Sequence, residues 1–150
     1  MFSQVTCPTA TFCIAVGHKG KLLNPFPNEA DSPLVETWNG GVWSIQSTLT
    51  STGAARSELT GVSCTSTTSC QVVGTELTAG ITFSEIWNGV TWTEQTMASP
   101  KKGTTLGSGA NACFSAGSCL AIGTNAGAWP VESTYAQHWN GGTWSQPGSL

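Results

Sequence analysis

The chain has 150 residues, enough for one domain, and its five Lys and Arg against eight Asp and Glu give a net charge of −3. Only 9% of the residues are charged, against about a quarter in an ordinary soluble domain. Because the chain has no excess of basic residues, nucleic acid is not expected as a partner. It also has no run of about 18 apolar residues, so no membrane span is predicted.

One sequence pattern occurs three times along the chain, in repeats of approximately 1–50, 51–99 and 100–150. The three repeats are predicted to form a single repeat domain, 1–150. A period of about fifty residues over the whole length indicates a repeat architecture. Each copy has two cysteines, then Trp-Asn-Gly, then a second tryptophan. These shared positions are Cys7, Cys13, Trp38, Asn39, Gly40 and Trp43; then Cys64, Cys70, Trp87, Asn88, Gly89 and Trp92; then Cys113, Cys119, Trp139, Asn140, Gly141 and Trp144.

Each repeat is predicted to form four short strands separated by turn residues. The first strand ends at the first cysteine, and the second begins at the second cysteine and stops at Gly17, Gly74 or Gly123. The third runs into Trp-Asn-Gly, and the fourth begins at the second tryptophan. Residues 98–110 are predicted to be a loop that connects two repeats, and no helix is predicted anywhere.

All six cysteines occur as pairs with five residues between them, always within a repeat. This spacing is too wide for the CxxC of a zinc ribbon, and no histidine cluster accompanies it. We therefore expect disulfides Cys7–Cys13, Cys64–Cys70 and Cys113–Cys119, each locking a hairpin by roughly 2–3 kcal/mol. Disulfides predict a secreted or cell-surface protein, although the N-terminus lacks a signal-peptide pattern.

The Trp-Asn-Gly stretch predicts a tight hairpin turn, because Asn-Gly readily supplies the positive φ that such turns require. If the loop is the four residues between the tryptophans, the two indoles of each repeat pair across the hairpin. Such a pair contributes about 0.5–1 kcal/mol beyond area burial.

Cys-x5-Cys-x-(Ala/Val)-(Val/Ile)-Gly followed by Trp-Asn-Gly-x-x-Trp resembles the repeat found in tandem in secreted actinobacterial propeller-like proteins. The turn is also similar to a shortened Asp-box (BNR), which closes a hairpin in sialidase-type blades. Asn39, Asn88 and Asn140 stand where that box has Asp, and one residue is missing before the second tryptophan. The resemblance implies that each repeat is a four-stranded antiparallel β-propeller blade.

Propellers have about four to eight blades, so three blades cannot close a ring and leave two apolar flanks bare. An all-β half propeller completed as a homodimer, with two times three blades, is the fold expected first. A monomeric β-trefoil is the alternative, since it also has three four-stranded repeats, and Gln137-His138-Trp139 resembles the Gln-x-Trp of ricin-type lectins. A β-prism or another sheet fold stays open as a third.

No enzymatic chemistry is predicted. Sialidases need three arginines and a tyrosine, and this chain has only Arg56 and Tyr135. Glu36 and Glu85 occupy equivalent strand positions, with Gln137 in the third repeat. These carboxylates are interpreted as structural groups that accept backbone or indole N–H bonds, rather than as a glycosidase pair.

Two histidines stand alone in the sequence, and no metal site or cofactor is expected from them. His18 is predicted to begin a solvated loop, and His138 to be packed or hydrogen-bonded on a face between repeats.

The variable loops carry the candidate ligand-binding residues. Trp129 lies outside the repeat pattern, in a loop that also holds Asn125, and Phe26 with Asn28 occupies the corresponding loop of the first repeat. Off-pattern aromatic groups on loops suit sugar stacking or a protein partner. We therefore expect a non-enzymatic, lectin-like module that binds glycans or a surface protein; the alternative is a protein-interaction or self-assembly module with no small ligand.

Overall fold

A computed structural model describes residues 1–20, 32–46, 56–98, 104–126 and 132–146. Within these ranges the chain is all-β and contains no helix, and it forms three antiparallel four-stranded sheets. Each sheet takes its strands from one repeat, in chain order. The predicted all-β fold with one four-stranded sheet per repeat is confirmed.

The strands are numbered in chain order. Sheet 1 contains β1 (Phe2–Thr9), β2 (Phe12–Lys19), β3 (Ser32–Trp38) and β4 (Trp43–Ile45). Sheet 2 contains β5 (Ser57–Ser66), β6 (Ser69–Glu76), β7 (Ile81–Trp87) and β8 (Trp92–Gln95). Sheet 3 contains β9 (Thr104–Ser115), β10 (Ser118–Ala126), β11 (Glu132–Trp139) and β12 (Trp144–Ser145).

The first two strands of each sheet are longer than predicted. The second strands run past the repeat glycine and end at Lys19, Glu76 and Ala126. The prediction of a connecting loop over 98–110 is wrong in its second half, because β9 begins at Thr104.

A bulge in the first strand of each sheet allows this extension. In sheet 2, Leu59 pairs with Gly74 and Gly61 pairs with Val73, which leaves Thr60 as the extra residue. The strand therefore continues to pair with its neighbour beyond the bulge. The alternation of apolar and polar residues in the sequence does not reveal this continuation.

The cysteines and tryptophans of a repeat line up in one row across its sheet. In sheet 2, Cys64 pairs with Cys70, Cys70 with Trp87, and Trp87 with Trp92. Directly paired residues point to the same side of a sheet, so the disulfide and both indoles lie on one side. We call that side the tryptophan face and the other side the reverse face.

The Asn-Gly turns form as predicted. Gly40, Gly89 and Gly141 have φ of 92°, 97° and 91°. In sheet 2 the Asn88 side-chain oxygen accepts the backbone N–H groups of Val90 and Thr91, both at 2.9 Å. The other two turns repeat this arrangement, so the asparagine holds the hairpin closed.

The three sheets stack through these faces. The tryptophan face of sheet 2 packs on the reverse face of sheet 1, and the tryptophan face of sheet 3 packs on the reverse face of sheet 2. The first core contains Ile14, Val16, Val35, Leu59, Val62, Cys70, Val72 and Phe83. The second contains Val73, Met97, Leu106, Ala110, Cys119, Ala121, Tyr135, Trp139 and Trp144.

Candidate interaction surfaces on the outer flanks

The three predicted disulfides are all formed, and every predicted tryptophan pair is in contact. The disulfides are Cys7–Cys13, Cys64–Cys70 and Cys113–Cys119, and they are compatible with an extracellular location. The paired indole rings have centroids 5.8, 5.3 and 5.9 Å apart. Most of these motif residues hold the sheets together, and the candidate functional surfaces are the two outer faces of the stack.

The tryptophan face of sheet 1 is the first candidate surface, because no described residue of another sheet packs on it. Phe2, Val5, Trp43 and Ile45 are exposed there. An open groove of about 500 Å³ is lined by Phe2, Val5 and Trp43, and Glu36 also lines it. A groove that is mostly apolar with one charged group is suited to binding rather than to contact with water alone.

The reverse face of sheet 3 is the second candidate surface. Leu120 and Ile122 are exposed on it, in register with His138 and Ala136 on the neighbouring strand. The His138 ring nitrogen Nε2 lies 3.2 Å from the Ser118 hydroxyl, which confirms the predicted hydrogen bond. The predicted position between repeats is wrong within the described residues, because this histidine lies on an outer face beside the exposed Leu120.

Both surfaces use repeat positions that are buried between sheets elsewhere in the same molecule. Val5, two residues before its cysteine, is 56% exposed, whereas Val62 at the same position in the second repeat is 1% exposed. Ile122, three residues after its cysteine, is 59% exposed, whereas its equivalents Val16 and Val73 are each 0% exposed. Each outer face therefore carries the apolar residues of an interface between sheets, but no described sheet covers it.

Polar groups also cross the two internal interfaces. The Gln4 side-chain oxygen accepts the Val62 N–H at 2.8 Å, and the Asn111 amide donates to the Gln71 carbonyl at 2.9 Å. Such pairs fix how one sheet sits on the next, because a displaced sheet would leave buried polar groups unpaired.

The interpretation of the strand carboxylates as acceptors of N–H bonds is wrong for Glu85 Oε1. This buried oxygen has no hydrogen-bond partner within the described part of the chain. Burial raises the pKa of Glu85 to about 8, with a further contribution from the Glu94 carboxylate that pairs with it across the strands. Gln137, at the same position in sheet 3, donates its amide N–H to the Ala98 carbonyl instead.

Two of the indole N–H groups donate to backbone carbonyls rather than to these carboxylates, whereas the buried Trp92 and Trp144 Nε1 atoms have no partner within the described residues. Trp87 donates to the Thr67 carbonyl and Trp139 to the Ala116 carbonyl, both at 3.2 Å. Each bond ties the tryptophan hairpin to the turn between the first two strands of its own sheet.

His18 does not begin a solvated loop. It lies within β2 with a half-buried side chain, and its Nδ1 is 3.7 Å from the Glu58 carboxylate of sheet 2. The contact joins sheet 1 to sheet 2 and is therefore part of the packing between sheets. It is an ion pair only when the imidazole is protonated.

Of the predicted ligand-binding residues, only Asn125 falls within the described ranges. It lies in β10 rather than in a loop, in register with Ser133 and Thr104. Trp129, Phe26 and Asn28 lie outside the described residues. The loop-based candidate site therefore lies largely outside the described residues and stays a prediction.

The flank residues were not singled out from the sequence, although the repeat alignment contains the signal. Phe2 and Leu59 both stand five residues before their first cysteine, and Ile122 and Val16 both stand three residues after their second. Leu59 and Val16 are buried between sheets, and the equivalent positions stay apolar in the end repeats, where no sheet covers them.

Among residues 1–20, 32–46, 56–98, 104–126 and 132–146, no cluster of three or more His, Cys, Asp or Glu could hold a metal ion. The same residues contain no helix long and apolar enough to cross a membrane.

Comparison of the chain with protein-family models, with curated protein sequences and with solved structures finds no match.

Proposed function

We propose that this chain is a non-enzymatic self-assembly module. Two copies join head to tail, the reverse face of sheet 3 in one chain covering the tryptophan face of sheet 1 in the other. The product is a six-bladed β-propeller with twofold symmetry, each chain supplying half of the ring. In line with its disulfides, we propose that the module works outside the cell or at its surface.

The observation that carries this proposal is that the two internal interfaces are of the same kind. A tryptophan face meets a reverse face twice within the chain, and one bare face of each kind remains at the ends. The two bare faces differ in kind, so the contact joins unlike surfaces. Such a contact closes into a ring when its rotation permits and extends into a fibre otherwise.

Strand pairing supports separate blades over a trefoil. In the described ranges each strand forms backbone ladder pairs only with strands of its own repeat, whereas a trefoil barrel pairs strands from different repeats. The packing of β5 against β1, β2 and β3 also matches face-to-face stacking of blades.

Replacing Ile122 with aspartate should convert a dimer into a monomer. The change places a carboxylate where each of the two proposed joints is apolar, at an expected cost of about 3 kcal/mol per joint, which weakens the dimer more than a hundredfold in the dissociation constant. Light scattering with size-exclusion chromatography gives the mass, to be compared with 15.5 kDa for one chain. Val90→Asp is the matched control, because Val90 is exposed at the tip of a turn and away from both flanks. A monomeric wild-type chain would refute the proposal.

A mixing experiment tests the head-to-tail arrangement itself. Val5→Asp damages the other face of the joint, so each variant alone carries one defect at every joint. A mixture of Val5→Asp and Ile122→Asp chains can form one joint with no substitution at either face, and should recover dimers. A twofold contact of one face with its own copy would not be rescued in this way.

Glycan recognition is the second function that we propose to test. The groove on sheet 1 favours it, because Trp43 and Glu36 both line it, and an aromatic ring near a polar group is an arrangement that holds a sugar in a binding site. Titrating neutral saccharides into the monomeric Ile122→Asp variant should change its tryptophan fluorescence, and the Trp43→Ala version should lose that response. An unchanged signal with every saccharide would leave self-assembly as the sole proposal.

A further inference from the structure

Three equivalent disulfides lie on the tryptophan faces, and they differ in what covers them. Cys64 packs against the core between sheets 1 and 2, and Cys113 packs against the core between sheets 2 and 3. Cys7 lies on the bare flank of sheet 1 and is exposed. Its partner Cys13 is buried, so solvent reaches this bond from the Cys7 side.

The cover over the third disulfide comes from the reverse face of sheet 2. Gln71 Oε1 lies 3.6 Å from Cys113 Sγ, and the Ser63 hydroxyl accepts the Cys113 N–H at 2.9 Å. Ile86 packs at the same place, and only a void of about 10 Å³ remains between the sheets there. A thiol reductant cannot approach a sulfur through a space of that size.

We propose that Cys7–Cys13 is a thiol-exchange site that is open in the single chain and closed by a second copy. The closure rests on the proposed self-assembly, whereas the exposure of Cys7 does not. In the joint, Leu120 and His138 of the second copy take the places that Gln71 and Ile86 occupy over Cys113, because they stand at the same repeat positions.

The reaction is exchange with a small dithiol. A thiolate of the dithiol attacks Cys7 Sγ, the bond between Cys7 and Cys13 breaks, and the electron pair leaves on Cys13 Sγ, which takes up a proton. The second thiolate of the dithiol then attacks the other sulfur of the same dithiol, the one bonded to Cys7 Sγ in the mixed disulfide, and Cys7 leaves as a thiolate. The protein gains two thiols, and the dithiol is oxidised to a cyclic disulfide.

Each disulfide can be followed separately, because its two cysteines always share one tryptic fragment. The lysines and the arginine are Lys19, Lys21, Arg56, Lys101 and Lys102. Cleavage after them places the three disulfides in fragments 1–19, 57–101 and 103–150. Timed treatment with dithiothreitol, alkylation of the free thiols and mass spectrometry of the fragments therefore give three reduction rates.

In the monomeric Ile122→Asp chain, the fragment 1–19 should be reduced at least about tenfold faster than the other two, because exchange requires access to the sulfur. Wild-type protein should lose this difference at concentrations where it is dimeric and regain it on dilution. Val90→Asp should behave like the wild-type protein. Dilution uses the unaltered chain, so the test does not depend on how well a variant folds.

Equal rates for the three fragments in the monomer would overturn the exchange site. A dimer in which fragment 1–19 is still reduced fast would overturn the closure and leave self-assembly standing. A wild-type chain that is monomeric at every concentration would overturn self-assembly and closure together, and the order of reduction would still decide whether Cys7–Cys13 is the exchange site.

Discussion

Replacing Gly74 with alanine is expected to destabilise the protein by about 3 kcal/mol or more. A Cβ at this position would overlap the backbone carbonyl oxygen of Glu58 and would lie 2.6 Å from the Phe83 ring carbon Cζ. The carbonyl belongs to the bulged first strand and cannot rotate away as a flexible side chain would. The bulge and the glycine therefore depend on each other, which explains why a glycine ends the apolar stretch of each repeat.

Denaturant unfolding of Gly74→Ala, followed by circular dichroism, measures this loss. Gly41→Ala is the control, because the nearest atom to a Cβ there is Asn39 Oδ1 at 3.8 Å, and its stability should stay within about 0.5 kcal/mol of wild type. If the two variants were equally stable, the close approach of β5 to Gly74 would be wrong.

The protein is expected to lose stability from acidic to alkaline pH, and replacing Glu85 with glutamine should remove most of that loss. The pKa of Glu85 is about 8 in the folded protein, against an ordinary value of 4.5. The folded state thus holds the proton more tightly than the unfolded state does. Below pH 4.5 both states are protonated and nothing is lost; between pH 4.5 and 8 stability falls by about 1.4 kcal/mol per pH unit.

The glutamine should be well tolerated, because Gln137 fills the equivalent position in sheet 3 and is fully buried there. Its amide donates a hydrogen bond, and a protonated carboxyl at Glu85 offers an O–H donor in the same way. The free energy of unfolding of wild type and Glu85→Gln, measured from pH 4 to pH 9, should diverge by a few kcal/mol at the alkaline end.

Glu94→Gln separates the two causes of the raised pKa. It removes the facing charge and leaves the buried carboxyl, so the decline should persist with its midpoint at lower pH. A wild-type protein with constant stability between pH 5 and 8 would show that Glu85 is not held in its neutral form.

The disulfides and tryptophan hairpins were predictable because they are local features, formed by residues close in the sequence. The row that joins them was not predicted, although Cys70 and Trp87 are in direct register. Strand ends were missed where Thr60 adds a bulge, because a bulge shifts the alternation of apolar and polar residues. The start of β9 at Thr104 was missed for the same reason: residues between its two paired segments interrupt the pattern.

The candidate site was predictable only in part. Bare flanks follow from the count of three repeats, whereas their residues depend on which face of a sheet meets which, and strand alternation does not specify that. The environment of Glu85 was predicted wrongly only for its buried oxygen Oε1, because the sequence neighbours do not show that this atom meets no donor. The loops that carry Trp129 and Phe26 lie outside the described ranges, so their role remains a prediction.

The stacking of three sheets has a consequence for how the molecule opens. Energetically the chain behaves as a short linear array, in which each unit is stabilised by itself and by its nearest neighbours. Sheet 2 has a neighbour on both sides and contributes to both cores, whereas sheets 1 and 3 each have one. Partial opening should therefore begin with fraying at either end of the array, and the amides of β6 in the middle unit should exchange with solvent last.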